Sequence, residues 1–216
     1  MRRFYLCFSF LLSALTVATS VSAQDSSTVS KRERLIMDVP EGWYLGSNSK
    51  NEFMESFVFV PEGQTVQNWT DMISIGIIPL SNVQSTNVFD PTEVFGRAKA
   101  AQRFATNWRK GLEEICEDTQ AEPENLTLVA MHWAILDGKL KCTKGKVTGK
   151  GEVILYRFIF GRDGYTIVMR QWGVPPFDIG QEPISSEILG DWKNRLKQVH
   201  HCDPRLSNCP SSQFSF

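Results

Sequence analysis

Apolar positions along this chain fall into two blocks of strand-like runs, each followed by one helical stripe. Residues 35–39 and 43–47 are short apolar runs separated by Pro40-Glu41-Gly42, which is turn chemistry. Residues 52–60 and 71–78 carry longer β-branched and aromatic runs, and Pro61-Glu62-Gly63 ends the first of them. The period then changes. Val94, Ala98, Ala101, Ala105, Trp108 and Leu112 recur every three or four residues, which places all of them on one helical stripe. Asp90-Pro91-Thr92-Glu93 predicts the start of that helix: Asp90 as N-cap, Pro91 where a missing N–H costs nothing, Glu93 at the third helical position. Gly111 and the acidic run Glu113, Glu114, Glu117, Asp118, Glu122 and Glu124 predict a fraying end and a solvated loop.

In the second block, residues 126–136 read as a strand that turns at Asp137-Gly138. Residues 152–160 and 165–172 read as a hairpin closed by Gly161-Arg162-Asp163-Gly164. After Pro175-Pro176 a second helix is predicted to begin at Ser185 or Ser186, to bury Ile188, Trp192, Leu196 and Val199, and to stop before Pro204. Strands, helix, strands, helix with hairpin connections predict an α+β fold, an antiparallel β-sheet flanked by two helices.

The first residues set the compartment. Arg2 and Arg3 precede a mostly apolar run over 4–17, and Val21-Ser22-Ala23 places small residues at a cleavage site, so 1–23 is predicted to be a signal peptide cut between Ala23 and Gln24. Ser9, Ser13 and Thr16 interrupt that run, and it is shorter than the roughly 20 residues of a membrane span. Cys7 lies inside the run rather than just after it, which argues against a lipoprotein arrangement. The expected organisation is a signal peptide over 1–23, a flexible leader over 24–34, a single α+β domain over 35–201 and a disulfide-closed tail over 202–216. Removing Arg2 and Arg3 with the first 23 residues leaves 21 basic against 24 acidic side chains, a formal charge of −3. That balance predicts no nucleic-acid partner, and at most peripheral contact with a membrane.

Cysteine usage agrees with export. Without Cys7 there remain Cys116, Cys142, Cys202 and Cys209, which allow three pairings. Cys116–Cys142 and Cys202–Cys209 are the expected ones: the first pair flanks the central connection and the second closes a short segment with Pro204 and Pro210 beside it. CxxC spacing is missing, which favours disulfides over a metal site.

Candidate chemistry is sparse. His132 alternates beside Met131 and Trp133 within its predicted strand, where a histidine is more often a satisfied sheet residue than a base. His200 and His201 are placed in the last turn of the second helix, where the macrodipole favours positive charge. With Cys202 and Asp203 beside them, His200, His201 and Asp203 are the candidate ligands for copper or zinc. Adjacent helical residues point about 100° apart, so only one ring would face a shared ion, and no metal or cofactor is expected. There is no GxSxG elbow, no GxxxxGK[ST] and no GxGxxG, and no catalytic residue is assigned. Lys144, Lys146 and Lys150 among Gly145, Gly149 and Gly151 read as a solvated connection, with docking to an acidic partner or lipid head groups as the functional alternative. The acidic run lacks the alternating ligands of an EF-hand loop. Trp69 stands apart from the other five tryptophans because 64–70 is polar around it; an exposed indole there is the candidate partner contact, with packing across the sheet edge as the alternative. Asn68-Trp69-Thr70 and Asn125-Leu126-Thr127 are glycosylation sequons, meaningful in a eukaryotic host.

The signal peptide, this element order and Pro40-Glu41-Gly42-Trp43 together resemble the superfamily that includes the photosystem II oxygen-evolving PsbP proteins and bacterial DcrB-like exported proteins. The segment Phe59-Val60-Pro61-Glu62-Gly63-Gln64-Thr65-Val66-Gln67-Asn68-Trp69-Thr70-Asp71-Met72 is similar to one in small uncharacterised exported proteins of Gram-negative bacteria. The resemblance implies a non-catalytic scaffold and carries no ligand residue onto this chain. Two functions follow as expectations. The first is a non-enzymatic exported module, periplasmic or secreted, that binds or supports the assembly of another envelope or secreted protein. The alternative is a small-molecule or metal-binding carrier, or a hydrolytic enzyme, with a pocket between sheet and helices.

Overall fold

The computed structural model describes residues 32–80, 93–210 and 214–215. The signal-peptide segment, the Ala23/Gln24 junction, and Asp90, Pro91 and Thr92 of the expected helix start lie outside the described residues. The elements in chain order are β1 (Arg34–Ile36), β2 (Trp43–Lys50), β3 (Glu55–Pro61), β4 (Asp71–Pro79), α1 (Val94–Ile115), β5 (Thr119–Ala121), β6 (Asn125–Val129), β7 (Trp133–Cys142), β8 (Gly151–Phe160), β9 (Gly164–Val174), α2 (Ser186–Gln198), β10 (His200–Cys202) and β11 (Phe214–Ser215). The fold class is α+β, as the sequence predicts. Eight strands form one antiparallel sheet in the order β2-β3-β4-β9-β8-β7-β5, with β6 also pairing along β7, and a second sheet has the order β10-β1-β11.

Strand periodicity divides the core into two layers. Along β8, Val153, Leu155 and Ile159 join one apolar cluster while Ile154, Tyr156, Phe158 and Phe160 join another, because successive side chains point to opposite faces. The helices therefore sit on opposite faces: α1 contributes Ala98, Ala101 and Ala105 to one cluster, and α2 contributes Leu189 and Leu196 to the other. The small sheet belongs with α2. Phe214 of β11 is buried edge-on against Phe57 and Phe59, at 5.1 and 6.2 Å between ring centroids. Alanines along the α1 stripe bring its backbone close to the sheet, and Phe104 and Trp108 flank them to meet Phe158, Phe160 and Tyr156 edge-on.

Both expected disulfides are present. Cys116–Cys142 ties the end of α1 to the end of β7, and Cys202–Cys209 closes the segment after β10. Cross-links of this kind are in keeping with a compartment outside the cytosol. No helix among the described residues is long and apolar enough to cross a membrane.

Several expectations are corrected. Residues 126–136 do not form one strand. β6 and β7 are a hairpin whose turn carries Ala130 and Met131 at φ of 49° and 58°, and β7 runs straight through Asp137-Gly138. His132 therefore sits in that turn, donating its N–H to the Val129 carbonyl at 2.9 Å, and not within a strand. Glu93 is the N-cap of α1 rather than its third residue, and its side chain makes no cap hydrogen bond. The acidic run is not a solvated loop: it contains β5, Glu122 pairs with Lys139 and Lys193, and Glu124 accepts from the Tyr156 hydroxyl at 2.8 Å. Nor are Lys144 and Lys146 merely solvated, since Lys144 pairs with Glu117 at 2.7 Å and Lys146 donates to the Glu113 and Glu114 carbonyls at the end of α1. In α2, with Ser185 as N-cap, Leu189 is buried and Ile188 is exposed. The helix ends at Val199, where Arg157 donates to the Lys197 and Val199 carbonyls at 2.8 and 2.9 Å, so His200 and His201 belong to β10 and not to a last helical turn. The leader ends earlier than Arg34, because Glu33 is fully buried and Arg34 opens β1. Two places in the expected tail belong to the domain: Cys202 lies in β10, and Phe214 pairs with Leu35.

Candidate functional site

The densest cluster of titratable groups lies where β1 and β10 meet the β8–β9 turn. Glu33 donates its N–H to Asp163 Oδ2 at 2.7 Å and accepts from the Asp163 N–H on Oε2 at 2.9 Å, while Trp133 Nε1 donates to Glu33 Oε1 at 2.8 Å. His201 Nδ1 is 3.8 Å from Glu33 Oε2, and its Nε2 is 2.7 Å from Thr166 Oγ1. Gly161 makes room for this arrangement: a Cβ there would lie 2.2 Å from Glu33 Oε2 and 2.8 Å from His201 Nδ1. Arg205 forks between Asp203, at 2.6 and 2.8 Å, and Asp163, at 3.1 and 2.8 Å.

Electrostatics follow the burial. Desolvation pushes the Glu33 carboxyl above the usual carboxylate range, its hydrogen bonds opposing this only in part. Desolvation, and then the charge of neighbouring His200, lower His201 to about 3, so its ring is neutral at physiological pH. Burial acts to raise Asp203 as well, but the Arg205 bonds outweigh it and hold Asp203 below its ordinary value. A glutamate, a histidine and a hydroxyl in sequence have the form of a proton relay. Here both Glu33 and His201 are fully buried, and a general base has to reach the proton it removes. The arrangement is a fastener that joins the small sheet to the large one.

The metal candidates are separated by the strand. His201 is buried on one side of β10, whereas His200 is exposed and its Nδ1 lies 2.7 Å from the Gln198 carbonyl. Asp203 is committed to Arg205. Among the described residues no group of three or more His, Cys, Asp or Glu is arranged to hold a metal ion. His132 is half-buried with its ring edge-on to Trp133, 5.7 Å between centroids.

Two clefts flank α2. One, of about 300 Å³, has Ile36, Met37, Trp192 and Leu196 among its walls with Asp38 and Arg195. The other, of about 200 Å³, runs between β7 and α2 past Glu122, Lys139 and Lys193. Lys139 is buried and neutralised by Glu122 and Glu182; burial alone would lower its pKa, and these two carboxylates reverse the sign. His132 lines neither cleft.

The β2 edge is an outer edge of the large sheet. β2 pairs with β3 alone among the described strands and is bulged at Gly46. Tyr44, Leu45 and nearby Phe53 are 43%, 48% and 51% exposed. Alongside it, residues 61–70 fold back over the sheet. Gln64 fixes this loop, its Oε1 accepting from the Thr70 and Asp71 N–H groups at 2.7 and 3.2 Å and its Nε2 donating to Thr70 Oγ1 at 3.0 Å. The Tyr44 hydroxyl donates to the Gln64 carbonyl, and Val66 packs over Gly46, where a Cβ would lie 3.1 Å from its Cγ1. Trp69 is half-buried over Gly173 rather than projecting into solvent. A Cβ on Gly173 would lie 3.3 Å from the Trp69 carbonyl and 3.5 Å from its ring, so the glycine is what allows the indole to lie down.

Sequence reasoning singled out Trp69 and the histidines but missed Glu33, Thr166, Trp133 and Arg205, which no local spacing connects: they come from four separate stretches of chain. No protein-family model matches this chain, and no curated protein sequence matches it.

Proposed function

We propose that this is a non-catalytic exported protein of the bacterial envelope that docks another envelope or secreted protein along its β2 edge. The observation that carries this reading is the edge itself. An eight-residue outer strand with exposed Tyr44 and Leu45 presents backbone groups that have no second strand partner among the described residues, of a kind that proteins ordinarily cover or charge. Lys50 is the one charged side chain in the strand, and it is paired with Glu55 at 3.0 Å. Strand addition to such an edge gives affinity through main-chain hydrogen bonds and specificity through the flanking side chains. Gln64 holds the neighbouring 61–70 loop in one shape, which lowers the ordering cost of binding. The two disulfides support an oxidising compartment, and the predicted signal peptide supports the periplasm or export beyond it. Similarity to the PsbP and DcrB-like superfamily agrees with a scaffold role and remains part of the proposal.

Photocrosslinking tests the reading. A benzophenone residue at Leu45 or Asn48, expressed in the native envelope, is expected to trap a discrete partner that the same probe at Val147, 93% exposed and remote in the fold, does not trap. Leu45→Lys is expected to abolish a crosslink formed at Asn48 while the thermal midpoint stays within a few degrees. Equal background at all positions, with a small molecule retained through purification, would move the function to the clefts beside α2.

A further inference from the structure

On the sheet face that α1 shares, a polar ladder crosses three adjacent strands. Ser74 of β4 donates to Gln171 Oε1 of β9 at 2.7 Å, and Gln171 Nε2 donates to Glu152 Oε1 of β8 at 2.9 Å. Glu152 is the cross-strand partner of Gly173, over which the Trp69 ring lies, so the Glu152 side chain and the indole occupy adjacent positions on one face. On its other side Glu152 faces Cys142, bridged to Cys116 at the end of α1. The carboxyl is half-buried, pairs with no cation among the described residues, and its second oxygen has no hydrogen-bond partner among them. Burial raises its pKa, and the Gln171 bond offsets this only in part. A desolvated carboxylate without a cation is unfavourable in the isolated protein and becomes favourable once a cation arrives.

We infer that the trough between Trp69 and Glu152 receives a guanidinium or ammonium side chain of a protein partner. The cation lies against the indole and its charge meets the second oxygen of Glu152. No group of three or more ligating side chains surrounds Glu152 among the described residues, whereas an aromatic face beside a carboxylate suits an organic cation. Neither Trp69 nor Glu152 lines either cleft beside α2, which favours a side chain delivered by a docked chain over an enclosed small amine. This inference rests on the partner-binding reading and gives the partner its chemistry.

The test uses the full disulfide-bonded protein and the indole N–H resonance of Trp69. The probes are blocked Gly-Arg-Gly, the same peptide with citrulline, and free agmatine. The arginine peptide is expected to shift that resonance saturably and to bind about tenfold more tightly than the citrulline peptide. Glu152→Gln, which keeps an acceptor for Gln171, and Trp69→Leu are each expected to abolish the discrimination. Glu152→Gln decides alone if the other variant misfolds. Equal binding of arginine and citrulline, or no saturable shift, overturns the inference. Agmatine binding as tightly as the arginine peptide also overturns it and assigns the trough to a small amine. Any of these with the Leu45 crosslink intact leaves the β2 reading standing; losing the crosslink as well removes both.

Discussion

Arg170 holds its charge at a large expense of hydration. It is 3% exposed on the α2 face of β9, and its guanidinium carbon lies 4.3, 4.6 and 4.9 Å from the ring centroids of Trp172, Trp192 and Trp43. Burial pulls its pKa down and Asp71 opposes that pull. It donates to Asp71 Oδ1, to the Gln171 carbonyl at 2.7 Å and to the Met72 carbonyl at 3.3 Å, while Nε has no hydrogen-bond partner among the described residues and is surrounded by indoles. Three tryptophans thus form an aromatic cage whose cation is the protein's own. Lysine cannot replace it, because an ammonium neither stacks flat nor reaches the carboxylate and the carbonyls together. Arg170→Lys is expected to destabilise the fold by about 2 kcal/mol. Asp71 is one-third exposed and can rehydrate, so this lies below the usual cost of breaking a fully buried pair. Urea denaturation monitored by tryptophan fluorescence measures it, and a loss under about 0.5 kcal/mol would show the cage to be ordinary packing.

At the scale of elements, the β6–β7 turn holds a correctable strain. Ala130 and Met131 both sit at positive φ, where an L-residue is disfavoured by about 1 kcal/mol and asparagine or glycine is not. The double variant Ala130→Asn/Met131→Gly is expected to raise the thermal midpoint by about 3 °C, from about 1 kcal/mol of relieved strain. An unchanged or lower midpoint in calorimetry would mean that Met131, 61% exposed, contributes packing that outweighs the strain. This turn also marks where the fold was legible in the sequence and where it was not. The α1 stripe, the β8–β9 hairpin and the Ser185 cap are written in local spacing and lie where the pattern places them. Asp137-Gly138 carries an equally strong local signal for a turn, yet distant partners use both residues. Asp137 binds Arg157 at 2.7 and 2.8 Å, and Gly138 is bare because the Tyr156 hydroxyl lies 2.2 Å from where its Cβ would be. Gly173 beneath Trp69 follows the same rule: each glycine answers an aromatic ring on another strand or loop, which spacing along the chain does not record.

Across the whole molecule, the small sheet is held to the large one by the Glu33, His201, Thr166 and Asp163 contacts, and this junction gives stability a pH dependence with a definite sign. Folding lowers His201 from 6.5 to about 3, so between those values the unfolded chain binds a proton that the native state refuses. Its contribution is therefore complete above pH 6.5 and is lost as pH falls towards 3. Glu33 acts in the opposite sense: its raised native pKa favours folding at acidic pH and withdraws that contribution as pH climbs through the native value. Carboxylates held low in the native state, Asp203 and Glu122, add losses on the acid side that do not depend on residue 201. The histidine term is isolated by His201→Gln, which retains a partner for Thr166 and cannot titrate. Wild-type stability is expected to fall between pH 6 and 4 more steeply than that of the variant, by about 1.4 kcal/mol per pH unit for one proton. Urea midpoints across that range give the difference directly. Parallel curves would mean that His201 is protonated in the native state as in the unfolded one, and the junction would then be an ion pair with Glu33 instead of a neutral fastener.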